Sequence, residues 1–306
     1  EGSMVGRTGL EPVTTAVSAA IRAVPHQIIM PPSPLQVPPA IRTVLDEFAK
    51  FCFVDLRLSK PSVDRHRSFL KKVLVQFGPE PTTAQIRSLL ATVENPYTYN
   101  NYIKSLRIYF RDYLDRFGVV KTFKFAIEEP APPRLFKKGE LRAFFEGIDT
   151  PKERAIFLMY ATSGRRRGEI LSLLKEQIDL EQRVIVPNKQ SRTKHTWYSF
   201  FNDEAKETLE EYLGCARIRG TKLFPMGGGD AHTLFYMARH KTGITITPQD
   251  LRFWFANEMS RLGVADRFID AFQGRVPRSV LARHYTDYSP ENLKAVYDKA
   301  QINVLR

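Results

Sequence analysis

The chain has 306 residues, 43% of them apolar and 26% charged, which suits two globular domains, and it carries a formal net charge of +13. No run of about 18 apolar residues occurs and the first residues hold no long apolar stretch, so neither a membrane span nor a signal peptide is expected. Two cysteines, Cys52 and Cys215, exclude a disulfide framework or a cysteine metal cage and point to an intracellular, metal-free protein, while the surplus of Lys and Arg points to a polyanion, nucleic acid before anionic membrane.

Glu1, Gly2 and Ser3 ahead of Met4 read as a cloning remnant. Residues 1–40 are expected to be a flexible proline-rich arm, since six prolines fall between Pro25 and Pro39. Only EPVTTAVSAAIRAV within it could form a short helix. From Ile41 the pattern turns helical, with Val44, Leu45, Phe48, Phe51 and Cys52 at helix spacing. A second helix starts near Ser59 with Pro61 in its first turn, buries Val63, Phe69, Leu70, Val73, Leu74 and Phe77, and stops at Gly78. A third spans residues 83–93. The fourth spans residues 97–117 and is stopped by Gly118. Arg65, Arg67, Lys71 and Lys72 on the second helix, with Lys104, Arg107, Arg111 and Arg116 on the fourth, give this four-helix domain of residues 41–130 basic outer faces.

The stretch EEPAPPRLFKKGE is the expected linker, with the boundary near residues 130–136. A second domain, residues 135–306, opens with helices around 138–148 and 151–163, then a polar turn and a helix through Leu174. Short β segments follow in QIDL, RVIVPN and HTWYSFF, the last two flanking QSRTK as a hairpin turn. Asn202 is placed to cap a helix with Asp203 and Glu204 in its first turn. GGGD at 227–230 reads as a flexible loop. In ITPQDL, Thr247 fits the N-cap, Pro248 the first helical position and Asp250 the capping box, with Ile246 and Leu251 as a hydrophobic staple; this helix stops at Gly263. The fold class expected is mainly α with a small antiparallel β-sheet: four helices, then an α+β domain.

Chemistry concentrates in a few places. TSGRRRGEIL, residues 162–171, sets three arginines after a Ser-Gly turn at the start of an apolar helix, where they meet an anion or simply form a solvated charge run. GGGD lacks the Lys-Ser/Thr of a phosphate loop, the histidines lack metal-ligand spacing, and no Ser-His-Asp or Cys-His set is suggested. Any reaction must then rest on arginine, lysine and tyrosine. Near the C-terminus, LARHYTDYSPEN offers two phenols, Tyr285 and Tyr288, each a candidate for chemistry or for packing. The segment SPENLKAVYDKAQINVL reads as a Ser-capped amphipathic helix that packs on its own domain or on a neighbouring protomer.

In order along the chain stand SGRRRGEI, a hairpin lysine, QDLR at a helix start, then QGR and a tyrosine ten residues later. This order resembles the tyrosine recombinases (phage integrases), most of all those of archaeal viruses and plasmids, over residues 41–306. The resemblance implies a core-binding domain followed by a catalytic domain. It implies cleavage and rejoining of DNA through a covalent 3′-phosphotyrosine, with double-stranded DNA as partner, a dimer on each site and a tetramer in the synapse. No metal and no cofactor is implied, and no membrane; the expected location is the cytoplasm of a prokaryotic host, on its nucleoid. Carried onto this sequence, G-x-R-x-x-E falls on Gly164, Arg166 and Glu169, so Arg166 would bind the scissile phosphate and Glu169 support it, with Arg165 and Arg167 flanking on the DNA backbone. Arg252 matches the second arginine. Lys189 or Lys194 would protonate the leaving 5′-oxygen. Gln249 stands where His or Lys is usual and Arg275 where His or Trp is usual, so phosphate binding is better supplied than base assistance. Tyr285 has the spacing of the nucleophile and Tyr288 lies three residues too far. Two rival activities share this resemblance: a type IB topoisomerase-like relaxing enzyme and a DNA-binding regulator without catalysis.

If Lys and Arg contacts to phosphate supply most of the affinity, log K for duplex DNA should fall linearly with log salt, by about 0.9 for each phosphate neutralised. A mobility-shift titration between low and physiological salt checks this; a flat response would remove the electrostatic reading of the charge.

Overall fold

The structure, a computed structural model, describes residues 37–129, 134–187, 197–215, 220–275 and 279–306. Its contacts divide the chain into two compact units, Glu1–Pro130 and Ala131–Arg306. It is mostly helical with one small antiparallel sheet, as the sequence pattern leads one to expect. No helix among the described residues is long and apolar enough to cross a membrane.

The first unit holds α1 (Pro39–Val54), α2 (Lys60–Phe77), α3 (Thr83–Ala91) and α4 (Pro96–Arg107). Its core is drawn from the expected stripes: Leu45, Phe48 and Cys52 of α1, Leu70, Val73 and Leu74 of α2, Ile86 of α3, and Ile103 and Leu106 of α4. Gly78 ends α2 at φ +83°, a conformation that glycine adopts without steric cost. The end of the fourth helix differs from the sequence expectation. Beyond Arg107 the α-helix widens into a π-helical turn, Ile108–Tyr113, and the chain leaves it through Asp115 at φ +51°. The wider turn lets two consecutive aromatics, Tyr109 and Phe110, face the core together, and Tyr109 meets Phe48 edge-on at 5.4 Å. Gly118 therefore lies in a 3-10 turn, Phe117–Val119, rather than at a helix stop.

Two polar side chains of α4 fasten the segment that leaves this unit. The Asn100 amide donates to the Ala126 carbonyl at 2.9 Å and accepts from the Ala126 N–H at 2.8 Å. Arg107 donates to the Phe123 carbonyl at 2.7 Å and lies over the Phe125 ring at 4.6 Å. Arg107, expected on the DNA-facing surface, is thus engaged in holding the chain's own backbone; the planar guanidinium both stacks and donates there.

The second unit is built around α6 (Pro151–Ser163), in which every residue from Ala155 to Ser163 is buried. A helix apolar all round has to be enclosed. Packed around it are α5 (Lys138–Glu146), α8 (Asp203–Cys215), α9 (Gly228–Thr242) and α10 (Pro248–Arg261), with Phe157 of α6 stacked on Phe144 of α5, itself stacked on Phe235 of α9. A short helix, α7 (Arg167–Leu171), leads to the sheet β1 (Ile178–Asp179), β2 (Val184–Ile185) and β3 (Ser199–Phe200), antiparallel in that order, with Ile178 opposite Ile185 and Val184 opposite Phe200. The expected turn QSRTK lies outside the described residues. The unit closes with α11 (Asp266–Phe272), α12 (Val280–His284) and α13 (Pro290–Ala300).

Two expectations are corrected here. The helix expected to reach Leu174 ends at Leu171, and the Gln177 side chain instead accepts the Leu174 N–H at 2.8 Å to start a 3-10 turn. GGGD does not form a loop but opens α9. The Asp230 carboxylate accepts the Gly227 N–H at 2.8 Å, and Ala231, Leu234, Phe235 and Ala238 bury one stripe, which offsets the weak helix propensity of the glycines.

The open question about the C-terminal tail resolves toward its own unit. Leu293 and Tyr297 of α13 are core residues, and the Tyr297 hydroxyl donates to the Thr162 carbonyl at 2.8 Å. The last residues are held by Glu204, whose buried carboxylate accepts the N–H groups of Val304 at 2.7 Å, Leu305 at 3.0 Å and Arg306 at 3.1 Å. Asn202 caps α8 through the Ala205 N–H at 3.0 Å and donates to the Ile302 carbonyl at 3.1 Å, so one turn of chain serves both elements. Glu204→Ala would strand three donors and should cost about 2–4 kcal/mol. Thermal unfolding together with hydrogen exchange at residues 304–306 checks it; unchanged exchange there would show that the tail is anchored by other means.

Candidate active site

The site starts where α6 stops. Gly164 turns the chain at φ +66°, and a Cβ there would lie 2.5 Å from the Phe255 ring, so both conformation and space demand glycine. Next come the three arginines, and they separate. Arg165 is 3% exposed and donates to the Trp197 carbonyl; burial pushes its guanidinium down to about 10. It is an interior group here, where a place on the DNA backbone was expected. Arg167 is exposed at the start of α7.

Arg166 lies between them, half-buried, and is held twice by Glu169. The Glu169 carboxylate accepts the Arg166 backbone N–H at 3.0 Å and its guanidinium at 2.9 Å. Burial opposes the charge on Glu169, but these two donors and the charges of Arg165 and Arg166 together overcome it and keep the carboxyl below its ordinary value. The guanidinium of Arg166 also reaches the Gly274 carbonyl at 3.3 Å.

Arg252 projects from the first turns of α10, where the capping box forms as expected: Asp250 N–H to Thr247 Oγ1 at 3.2 Å, and Thr247 N–H to the Asp250 carboxylate at 2.9 Å. The staple residues Ile246 and Leu251 are both buried. Arg252 is 5% exposed; it donates to the Gly164 carbonyl and, at 2.7 Å, to the Gln273 carbonyl. Burial first, then the charge of Arg166, pushes its guanidinium down to about 9. Arg275 and Arg165 add to that repulsion, and Glu169 alone opposes it.

Thus residues from α6–α7, α10 and the turn after α11 converge. Consecutive carbonyls, Gln273 and Gly274, take Arg252 and Arg166, and Arg275 follows directly. Arg275 is exposed and pairs with Asp270 at 3.1 Å. Gln249 is exposed in the first turn of α10. Lys189 and Lys194 lie outside the described residues. Tyr285 follows α12 directly and is 77% exposed; among the described residues no hydrogen bond ties it to the arginines. Tyr288 behaves differently, stacking on Trp197 at 4.6 Å and meeting Phe268 edge-on at 6.3 Å.

In the first unit, Arg65, Lys71, Lys72, Lys104 and Arg111 are exposed, Arg67 is half-buried against Asp46, and Arg111 pairs with its neighbour Asp112 at 2.6 Å. Gln273 and Asp270 contribute to the site although no motif marks them. The signal for Gln273 was available, since in IDAFQG it is a polar residue on the buried face of an apolar turn. No group of His, Cys, Asp and Glu able to hold a metal occurs among the described residues. Four arginines, Arg165, Arg166, Arg252 and Arg275, against two carboxylates, Glu169 and Asp270, suit a tetrahedral oxyanion, above all a phosphate diester.

Known structures share this fold. A lambda integrase tetramer bound to a Holliday junction superposes with a TM-score of 0.61 at 17% identity, covering 81% of this chain and 77% of that one. The Tn1549 transposon integrase, in complex with circular intermediate DNA, superposes with a TM-score of 0.59 at 15% identity, covering 82% of this chain and 98% of that one. In sequence, the tyrosine recombinase XerA of Thermococcus onnurineus is 26% identical over 290 residues, 86% of this chain and 97% of the relative. Fold and sequence similarity together define a tyrosine-type site-specific recombinase. Residues 137–300 match the archaeal phage integrase family model, and the chain belongs to that family.

An arginine cluster short of carboxylates should be stabilised by its ligand's charge alone. Inorganic phosphate or orthovanadate at ten times its Kd should stabilise the protein by about 1.4 kcal/mol, or roughly 3–5 °C in Tm. Arg252→Met should abolish that shift in differential scanning fluorimetry. An equal shift in the variant would place the anion elsewhere.

Proposed function

We propose that the chain cuts and rejoins double-stranded DNA at a specific site, with Tyr285 as nucleophile and Arg166, Arg252 and Arg275 around the scissile phosphate. The observation that carries this is the seating of Arg166 and Arg252 on the adjacent carbonyls of Gly274 and Gln273, next to Arg275. Each guanidinium has five N–H donors and spends only some of them on the protein, so the rest remain for nonbridging phosphate oxygens. Such donors gain strength as charge builds on the pentavalent phosphorus, in a partly desolvated setting where they need no reorganisation.

Attack by the Tyr285 oxygen on phosphorus forms the phosphotyrosine at the DNA 3′ end and expels the 5′-oxygen. A phenol with an ordinary pKa near 10 needs a positive field to react as phenolate, and the arginines supply one. The expelled oxygen takes a proton from Lys189 or Lys194 as general acid. A 5′-hydroxyl from another strand then reverses the step, so the number of phosphodiester bonds is conserved and no nucleotide cofactor is consumed. Exposure of Tyr285 and packing of Tyr288 favour the first as nucleophile.

The basic residues of the first unit that remain exposed, Arg65, Lys71, Lys72 and Lys104, would contact the DNA backbone as a core-binding domain. Recombination would take two protomers per crossover site and four in the synapse, as in the lambda integrase dimer on a core site and tetramer on a Holliday junction. The setting would be the cytoplasm of a prokaryotic host, on its nucleoid.

Incubation with a nicked duplex carrying the recombination site, mapped first by footprinting, should give a covalent adduct on a denaturing gel. Tyr285→Phe should abolish it and Tyr288→Phe should retain it; the reverse pattern would overturn the assignment. Of Lys189→Ala and Lys194→Ala, the one that removes the acid should lose about 100-fold or more. It should recover on a 5′-bridging phosphorothiolate, whose thiolate leaves without a proton. Equal losses without recovery would exclude both lysines as the acid.

A further inference from the structure

Gln273 is completely buried, yet its side chain is only half used. The amide nitrogen donates to the Arg252 carbonyl at 2.8 Å, while Arg252 donates back to the Gln273 carbonyl at 2.7 Å. The side-chain oxygen of Gln273 has no partner among the described residues. Another orphaned buried atom of this unit is Nε of Arg165, and Arg165 is one of the charges acting on Arg252. Both imperfections therefore lie around the same arginine.

Stability does not account for a glutamine at this position. A buried amide with an unpartnered acceptor is unfavourable, and an unbranched apolar side chain of equal length would fill the same volume. The Arg252 carbonyl lies inside α10 and would keep its helical hydrogen bond without Gln273. What Gln273 adds is a second tie between α10 and the turn after α11, made to the backbone of the very residue whose guanidinium rests on that turn. The pair fixes the root of the Arg252 side chain from one end and its guanidinium from the other.

We propose that Gln273 is a positioning residue that holds Arg252 in register with the scissile phosphate. This rests on the reading of Arg252 as a phosphate-binding group. It acts through Arg252 and touches no substrate. A displacement well under the length of a bond to phosphate is enough to spoil a donor whose value lies in preorganisation.

The test is Gln273→Met, which retains length and apolar volume. Single-turnover adduct formation is measured for wild type and variant on the nicked duplex, once with the natural phosphate and once with a neutral methylphosphonate at the scissile position. With no nonbridging negative charge to meet, the methylphosphonate makes the placing of Arg252 far less important. The expected result is a loss of about tenfold or more on the phosphate, a difference within about threefold on the methylphosphonate, and a Tm no lower than that of the wild type. A variant equal to wild type on the phosphate would overturn the inference. So would an equal loss on both duplexes, or a loss that follows a fall in Tm, since each describes a structural role. Adduct from the wild type with no deficit in the variant defeats only the inference; no adduct from the wild type defeats the reading of the site and the inference with it.

Discussion

Arg252 is a cation that folding has to take out of water and place beside three other cations. It is tolerated because its guanidinium rests on two backbone carbonyls, Gly164 and Gln273, which are far apart in the unit's sequence. Much of the second unit follows from that seat. Gly164 must be glycine so that α6 can stop against Phe255 and offer its carbonyl. The capping box at Thr247 and Asp250 must fix the first turn of α10, because Arg252 leaves the helix two residues after Asp250. The turn at Gln273–Gly274 must close on the same spot. Each piece is held by local chemistry, and the cation joins them.

The cost of that arrangement is the source of its use. The repulsion that Arg166, Arg275 and Arg165 exert on Arg252 is opposed by Glu169, which is already committed to Arg166, while Asp270 is taken by Arg275. A buried charge that is incompletely paired is weak support for stability, and such groups cluster where a ligand completes the electrostatics. An arriving phosphodiester would bring the missing negative charge. The anchoring of the C-terminal residues to this chain's own α8, through the Glu204 carboxylate, is by contrast hydrogen bonding from three neutral backbone donors in succession.

What the sequence made legible is what short-range chemistry determines. Gly78, the Thr247–Asp250 box, the Asn202 cap and the Arg166–Glu169 pairing each depend on residues within four positions of one another, and each has the expected geometry. What it hid depends on tertiary neighbours. Arg165 and Arg167 are indistinguishable in GRRRGE, yet one is interior and the other exposed, because only the first faces the backbone near β3. Arg107 has the same pattern as an outward arginine, but Phe123 and Phe125 return over it. The glycines of GGGD argue against a helix, and the stripe of Ala231, Leu234, Phe235 and Ala238 outweighs them only once α5 supplies Phe144 to pack against. The difference between Tyr285 and Tyr288 is likewise tertiary, since Trp197 is what makes the second a packing residue.

The most direct measurement of the account is the structure of the protein with cleaved duplex DNA and orthovanadate, the vanadium standing in for pentavalent phosphorus. The expected result has the Tyr285 oxygen and the 5′-oxygen apical, with Arg166 and Arg252 on equatorial oxygens while each keeps its carbonyl on Gly274 and Gln273. Tyr288 or no tyrosine at the apical position, or vanadate bound away from these two arginines, would contradict it.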